Sequence, residues 1–173
     1  MDDSHRPPLV RLKWRTVIAV LFVDAVVTGA VIFAFAKLAF GAPAPPPEAA
    51  AVRAVLDAQV DAWNRGNLDD FMAGYWKDDR LSFFSADTVT QGWQKTYERY
   101  RKRYQADGKE MGRLTFRDIQ IDMLAADAAL ARGRWRLEMK TGATPNGLFT
   151  LIFRRIDGNW RIVHDHTSAS DTK

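Results

Sequence analysis

The chain has 173 residues, 47% hydrophobic and 12% aromatic, which is room for one packed domain plus an appendage. It contains no cysteine, so disulfides, zinc–thiolate sites and thiol nucleophiles are excluded, and cysteine usage says nothing of the redox compartment. Residues 1–47 carry five basic and three acidic residues and the remainder twenty and eighteen, so the larger part is close to neutral and a general nucleic-acid footprint is not indicated.

Residues 1–15 are polar and basic, and the character then changes abruptly. Thr16–Ala36 is an apolar run with a single charge, Asp24. As a helix it would rise about 31 Å, enough to cross a bilayer core of roughly 30 Å. The basic residues precede it, which predicts a cytoplasmic N-terminus and an extracytoplasmic C-terminal domain, periplasmic in a bacterium. A cleaved signal peptide is the rival reading, with a small-residue site near Ala39-Phe40-Gly41; the run is longer than the usual apolar region of about 7–15 residues, which favours an uncleaved anchor over residues 16–40. Asp24 is costly at mid-membrane, about 2.5–3.5 kcal/mol. Protonation, or a span beginning at Ala25 with Lys37 reaching the interface, accommodates it; a partner helix is the alternative. Gly41–Pro47, GAPAPPP, is a stiff linker, and the domain begins after it, over residues 48–170.

Glu48–Arg65 reads as a helix with Val52, Leu56, Gln59, Val60 and Trp63 on one face and Arg53, Asp57 and Asp61 on the other. Gly66 ends it, and Asn67 caps a second short helix, Leu68–Tyr75, with Asp70 three residues on. Leu81–Ser85 and Val89–Gln91 are two short strands around a polar turn. Trp93–Gln105 is a third helix on which Trp93, Tyr97, Tyr100 and Tyr104 form an aromatic stripe at i, i+4, i+7 and i+11. The other positions hold Arg99, Arg101, Lys102 and Arg103, read as a solvated face or one leaning toward anionic lipid.

Leu114–Leu124 and Ala128–Met139 are longer strands. The second alternates, with Ala131, Gly133, Trp135 and Leu137 on one face and Arg132, Arg134, Arg136 and Glu138 on the other. Phe149–Ile156 and Asn159–Thr167 flank Asp157-Gly158, which supplies the two positive φ angles of a type I′ hairpin turn. The element order predicts an α+β fold: four long antiparallel strands plus two short ones, curved into a cone and wrapped by three helices. Its inner face collects Ala131, Gly133, Trp135, Phe149, Leu151 and Phe153, with Gly133 leaving a gap.

The segments AWNRGNLDDFMAGYW (62–76), TQGWQ (90–94), GRLTF (112–116) and GNWRIVHDHTS (158–168) together resemble the SnoaL-like branch of the nuclear transport factor 2-like superfamily, over about Ala49–Ser170. The closing strand is also similar to that of the association domain of calmodulin-dependent kinase. One departure is Asn67, where the familiar pattern has aspartate; asparagine can still cap a helix. The resemblance implies a cone-shaped fold but no one reaction, because the superfamily hosts isomerases, cyclases, dehydratases, binding modules and oligomerisation domains.

The closing strand holds the candidate chemistry. Alternation puts His164 and His166 on one face, and Val163, Asp165 and Thr167 on the other. Two histidines are too few for a metal, with only His5 besides, so no metal is expected and no cofactor either. By analogy with the kinase association domain, the parity of Asp165 faces the cone, where desolvation raises a carboxyl's pKa and suits it to proton transfer. The bland alternative is that Asp165 only orders the cone mouth through hydrogen bonds. The expected pocket is Trp76, Phe84, Tyr97, Tyr100, Trp135, Phe149, Leu151, Asp165 and Thr167.

Three readings follow: a tethered domain binding a small apolar or aromatic molecule; a proton-shuttling isomerase, cyclase or hydratase with Asp165 as acid/base and Tyr97 or Tyr100 polarising a carbonyl; and an interaction module. In the third, Arg132, Arg134, Arg136, Ile152, Ile162, His164 and His166 form an outer-face homodimer interface, such dimers being common in the superfamily.

Overall fold

The computed structural model describes residues 46–170. The basic tail and the apolar run proposed as an anchor lie outside them. Among the described residues no helix is long and apolar enough to cross a membrane.

Helix α1 (Pro47–Asn64) starts on proline, whose fixed φ suits the first helical position, and buries Ala49, Val52, Leu56, Gln59, Ala62 and Trp63. Its end is tied to the sheet. Trp63 Nε1 donates to Met111 O at 3.0 Å, and the Asn64 side chain exchanges two hydrogen bonds with the Leu114 backbone, standing in for a neighbouring strand. Helix α2 (Leu68–Met72) is shorter than the predicted Leu68–Tyr75. Asn67 caps it by accepting from the Asp70 amide at 3.0 Å, and the chain leaves the helix at Ala73-Gly74. Gly74 sits where a Cβ would strike the Gln59 side chain.

The strands are β1 (Ser82–Ser85), β2 (Thr88–Gln91), β3 (Arg113–Ala125), β4 (Ala128–Glu138), β5 (Asn146–Ile156) and β6 (Asn159–Thr167), in the sheet order β2-β1-β6-β5-β4-β3. The last four form the predicted antiparallel meander. Asp157 and Gly158 have φ of 50° and 77°, as the I′ turn requires. The sheet is not antiparallel throughout, however: β1 adds to the free edge of the meander at β6 and runs parallel to it, continuing the direction the chain already has at the parallel Tyr75–Ile162 bridge. Helix α3 (Trp93–Tyr104) and a 3₁₀ turn (Ala106–Gly108) complete the described elements.

Two bulges decide which side chains face inward. On β3 the register jumps between Arg117 and Gln120, with Asp118 at φ 53°, so Leu114 and Phe116 before the jump and Ile121 and Met123 after it lie on one face. On β6 Ile152 pairs with His164 but Phe153 with Ile162, which makes Val163 the extra residue. Trp160 and Ile162 therefore point inward together with Asp165, although strict alternation would separate them. Ile162, expected on the outer face, is fully buried for this reason.

The gap expected at Gly133 is filled. A Cβ there would lie 2.6 Å from Cζ of Phe149 and 3.0 Å from Arg117 O, so the glycine makes room for the Phe149 ring and the β3 backbone.

Candidate functional site

Strand β6 is the spine of the site. On one side it pairs with β5; on the other it meets first Tyr75, in a bridge to Ile162, and then β1, in which Phe83 lies opposite Asp165. The bridge is held by Trp76 N–H donating to Ile162 O at 2.9 Å and Ile162 N–H to Gly74 O at 3.0 Å. Tyr75 is thereby fixed on the inner side, where its hydroxyl donates to Asp165 Oδ2 at 2.7 Å. Thr167, two residues along the same face, donates to Asp165 Oδ1 at 2.6 Å.

Asp165 is only 3% exposed. Burial pushes its carboxyl up to about 6, and the hydrogen bonds from Thr167 and Tyr75 limit the rise because they favour the ionised form. Desolvation also holds the Tyr75 and Tyr100 hydroxyls well above the usual tyrosine range, with the nearby Asp165 charge adding to it. The two hydroxyl oxygens stand 3.4 Å apart. Tyr100, Tyr75, Asp165 and Thr167 thus form one connected polar chain along an aromatic wall.

That wall encloses a cavity of about 240 Å³. Its sides come from α1 (Gln59, Trp63), α2 (Phe71), β1 (Phe83), α3 (Tyr100, Tyr104), β3 (Leu114, Phe116), β4 (Trp135, Leu137) and β5 (Phe149, Leu151), with Tyr75 and Asp165 at one place on the wall. The rings lock one another. Phe71 lies 4.9 Å from Trp63 and 5.3 Å from Tyr100, and Tyr104 stands edge-on to Trp63 at 4.8 Å. At the far end Trp135 Nε1 donates to Ser168 O at 2.9 Å, and Gly147 lets the Ser168 backbone come close enough to accept it. Arg99 and Arg103 also border the cavity. Among the described residues no cluster of three His, Asp or Glu side chains is placed to hold a metal ion.

A family model described as a SnoaL-like domain matches residues 52–172. The chain belongs to the SnoaL-like family. Solved structures agree. An NTF-2 like protein of unknown function from Shewanella oneidensis is 41% identical, with a TM-score of 0.63 over 68% of this chain and 95% of that one. A protein from Thiobacillus denitrificans assigned as a calcium/calmodulin-dependent protein kinase type II association domain is 25% identical, with a TM-score of 0.58 over 73% of this chain and 97% of that one. An NTF2-like superfamily protein from Salmonella enterica, 18% identical with a TM-score of 0.54 over 69% and 88%, shares the fold. No protein of curated function matches the chain.

Within the SnoaL-like domain the cavity brings together Tyr100, Trp135, Phe149, Leu151, Asp165 and Thr167 of the expected pocket. Three expected members lie elsewhere. Trp76 follows Tyr75 in extended chain and so points the opposite way, its ring under the Arg80 guanidinium at 4.3 Å. Phe84 is on the outer face, edge-on to His164 at 4.9 Å, because the parallel register with β6 puts Phe83 inside. Tyr97 stacks on Trp93 at 5.3 Å, and its hydroxyl meets Asp69 rather than the cavity. Trp93 in turn donates to Met72 O at 3.1 Å, so the first turns of α3 belong to α2 and only its later turns reach the cone.

The lining residues outside the expected pocket include Tyr75, Phe83, Tyr104, Phe116, the Trp63–Phe71 pair and the two arginines, Arg99 and Arg103. Phe83 carried a signal: with Leu81 it forms an i, i+2 apolar pair, and both are buried. On the outer face, Arg132, Arg134 and Arg154 each pair with an aspartate (Asp122, Asp118 and Asp127), and Arg136 with Glu138. His164 shares a 2.7 Å hydrogen bond with Ser82 Oγ, and Ile152 pairs with it across the sheet.

Proposed function

We propose that this SnoaL-like domain binds a small, largely apolar or aromatic molecule in its cone, beside Asp165. The observation that supports it is the contrast within the cavity: a wall built mainly of aromatic and aliphatic side chains that meets one buried carboxyl held at both oxygens. Apolar walls with a few placed polar groups are the usual make-up of small-molecule sites. Leu151 lies on the wall and is nearly fully buried, so Leu151→Trp extends a ring into the space a ligand would take. In ligand-observed NMR with a panel of small aromatic compounds, the wild-type chain is expected to yield binders that lose about tenfold or more in affinity in the variant, near-UV circular dichroism confirming that it is folded. Absence of any binder, or binders indifferent to the new ring, contradicts the reading.

A second reading, proton transfer with Asp165 as acid/base, draws support from the Tyr100–Tyr75–Asp165 hydroxyl chain. In it Tyr100, with Tyr75, takes the carbonyl-polarising role; Tyr97 has no place in it, being outside the cavity. A carboxyl near pH 6 is able to give or take a proton at neutral pH. Any turnover should then fall by about 10²–10⁴ in Asp165→Asn, and a pH–rate profile unmoved by that change would remove the reading.

We propose further that residues 16–40 tether the domain on the extracytoplasmic side, tested by whether the chain stays with membranes after an alkaline wash. The outer face, with Leu148 51% exposed among ion-paired arginines, is proposed as a homodimer contact. A light-scattering mass of one chain for the released domain would end that idea.

A further inference from the structure

Resting on the cone as a binding site, we propose that the molecule it takes is an amphipathic organic carboxylate, its apolar body among the rings and its anionic head at the rim on Arg99 and Arg103. These two arginines and Asp165 are the charged side chains among the described residues that border the cavity. Asp165 is sealed, with both oxygens engaged by hydroxyls. Arg103 is exposed and Arg99 half-buried, which puts the positive charge at the solvent side.

Both guanidiniums are held against the wall by aromatic rings. Arg99 lies over Phe83 at 5.2 Å and Arg103 over Tyr104 at 5.5 Å. Arg99 gives one N–H to Thr90 Oγ1 at 3.2 Å, which leaves most of its five donors. The contrast with the outer face is informative. There Arg132, Arg134 and Arg154 each have an aspartate, whereas none of the ion pairs among the described residues takes Arg99 or Arg103. Two guanidiniums one helical turn apart, stacked on the lips of an apolar cavity, suit the flat fork of a carboxylate attached to a ring system.

The test uses full-length protein in nanodiscs, with empty discs as the blank, and calorimetric titration of 2-naphthoate and its uncharged counterpart 2-naphthamide. The acid is expected to bind about tenfold or more tightly than the amide, the factor that charge-assisted hydrogen bonds supply. In the double variant Arg99→Gln, Arg103→Gln the acid should fall to the level of the amide, while the amide keeps its affinity. Raising the salt on the wild-type chain should weaken the acid and leave the amide unchanged, a readout that needs no variant to fold. Equal binding of acid and amide, or a preference that survives the double variant, overturns the carboxylate proposal but leaves the binding reading in place. Failure of both compounds to bind overturns the two together.

Discussion

Phe153→Ala should destabilise the domain by about 3–5 kcal/mol, the range for truncating a fully buried ring. Phe153 is 0% exposed and sits between Ala129 of β4 and Ile162 of β6 on the inner face, beyond the last cavity-lining residue of its strand, Leu151. Its neighbours offer little slack. Ala129 and Ile162 are themselves fully buried, and the backbone around them is pinned by three paired strands, so the space left by the ring would stay largely empty. Urea unfolding measures the loss, with Leu148→Ala, at an exposed site on the same strand, expected to change stability by no more than about 0.5 kcal/mol. A loss at Phe153 below about 1 kcal/mol would mean that the closed end of the cone is not packed as described.

The second large effect is a dependence on pH carried by Asp165. Its carboxyl is held at about 6 in the folded chain, against an ordinary value of 3.8. Well below the ordinary value of 3.8 both folded and unfolded chains carry the proton. Between about pH 4 and 6 the unfolded chain releases it first, so the folded state binds more protons and stability falls as pH rises. Above that range the loss is complete, at about 2–3 kcal/mol. Asp165→Asn has no proton to release, and its amide can still meet the Tyr75 and Thr167 hydroxyls. The variant should therefore match the wild type well below pH 4 and exceed it by about 2–3 kcal/mol at pH 7, read from urea unfolding across that range. Taking the difference between the two proteins cancels the other carboxylates. Parallel curves would mean that Asp165 is not buried as its hydrogen bonds imply.

Such a group, destabilising at neutral pH and held by two hydroxyls in an aromatic cavity, marks a place where stability is given up, and sites of this kind tend to be functional. The hairpin at Asp157-Gly158, the buried face of α1 and the cap at Asn67 are local: each follows from residue type and spacing within a few positions, and each is present. The inward parity of Asp165 and Thr167 is an expectation from the family resemblance rather than from local pattern, and both side chains line the cavity.

What stayed hidden is set by pairing. The bulge at Val163 is defined only by what β5 does opposite it, and without it simple alternation sends Ile162 outward. The choice between Phe83 and Phe84 is settled by the parallel register with β6, and the i, i+2 pairing of Phe83 with Leu81 is its one local hint. The stripe on α3 was legible as a stripe, but not that Trp93 would be tied to Met72, leaving Tyr97 outside while Tyr100 and Tyr104 enter the cone. Arg99 and Arg103 read as a solvated face because their stacking on Phe83 and Tyr104 joins residues from different elements or follows the details of one helix end.

The central claim, a buried carboxyl in the wall of a ligand-binding cone, is tested most directly by ¹³C NMR of the Asp165 side-chain carboxyl, titrated from pH 3 to 8 with and without saturating indole. A midpoint near 6 that shifts when indole is present is the predicted result. A midpoint near 3.8, unmoved by indole, would contradict it.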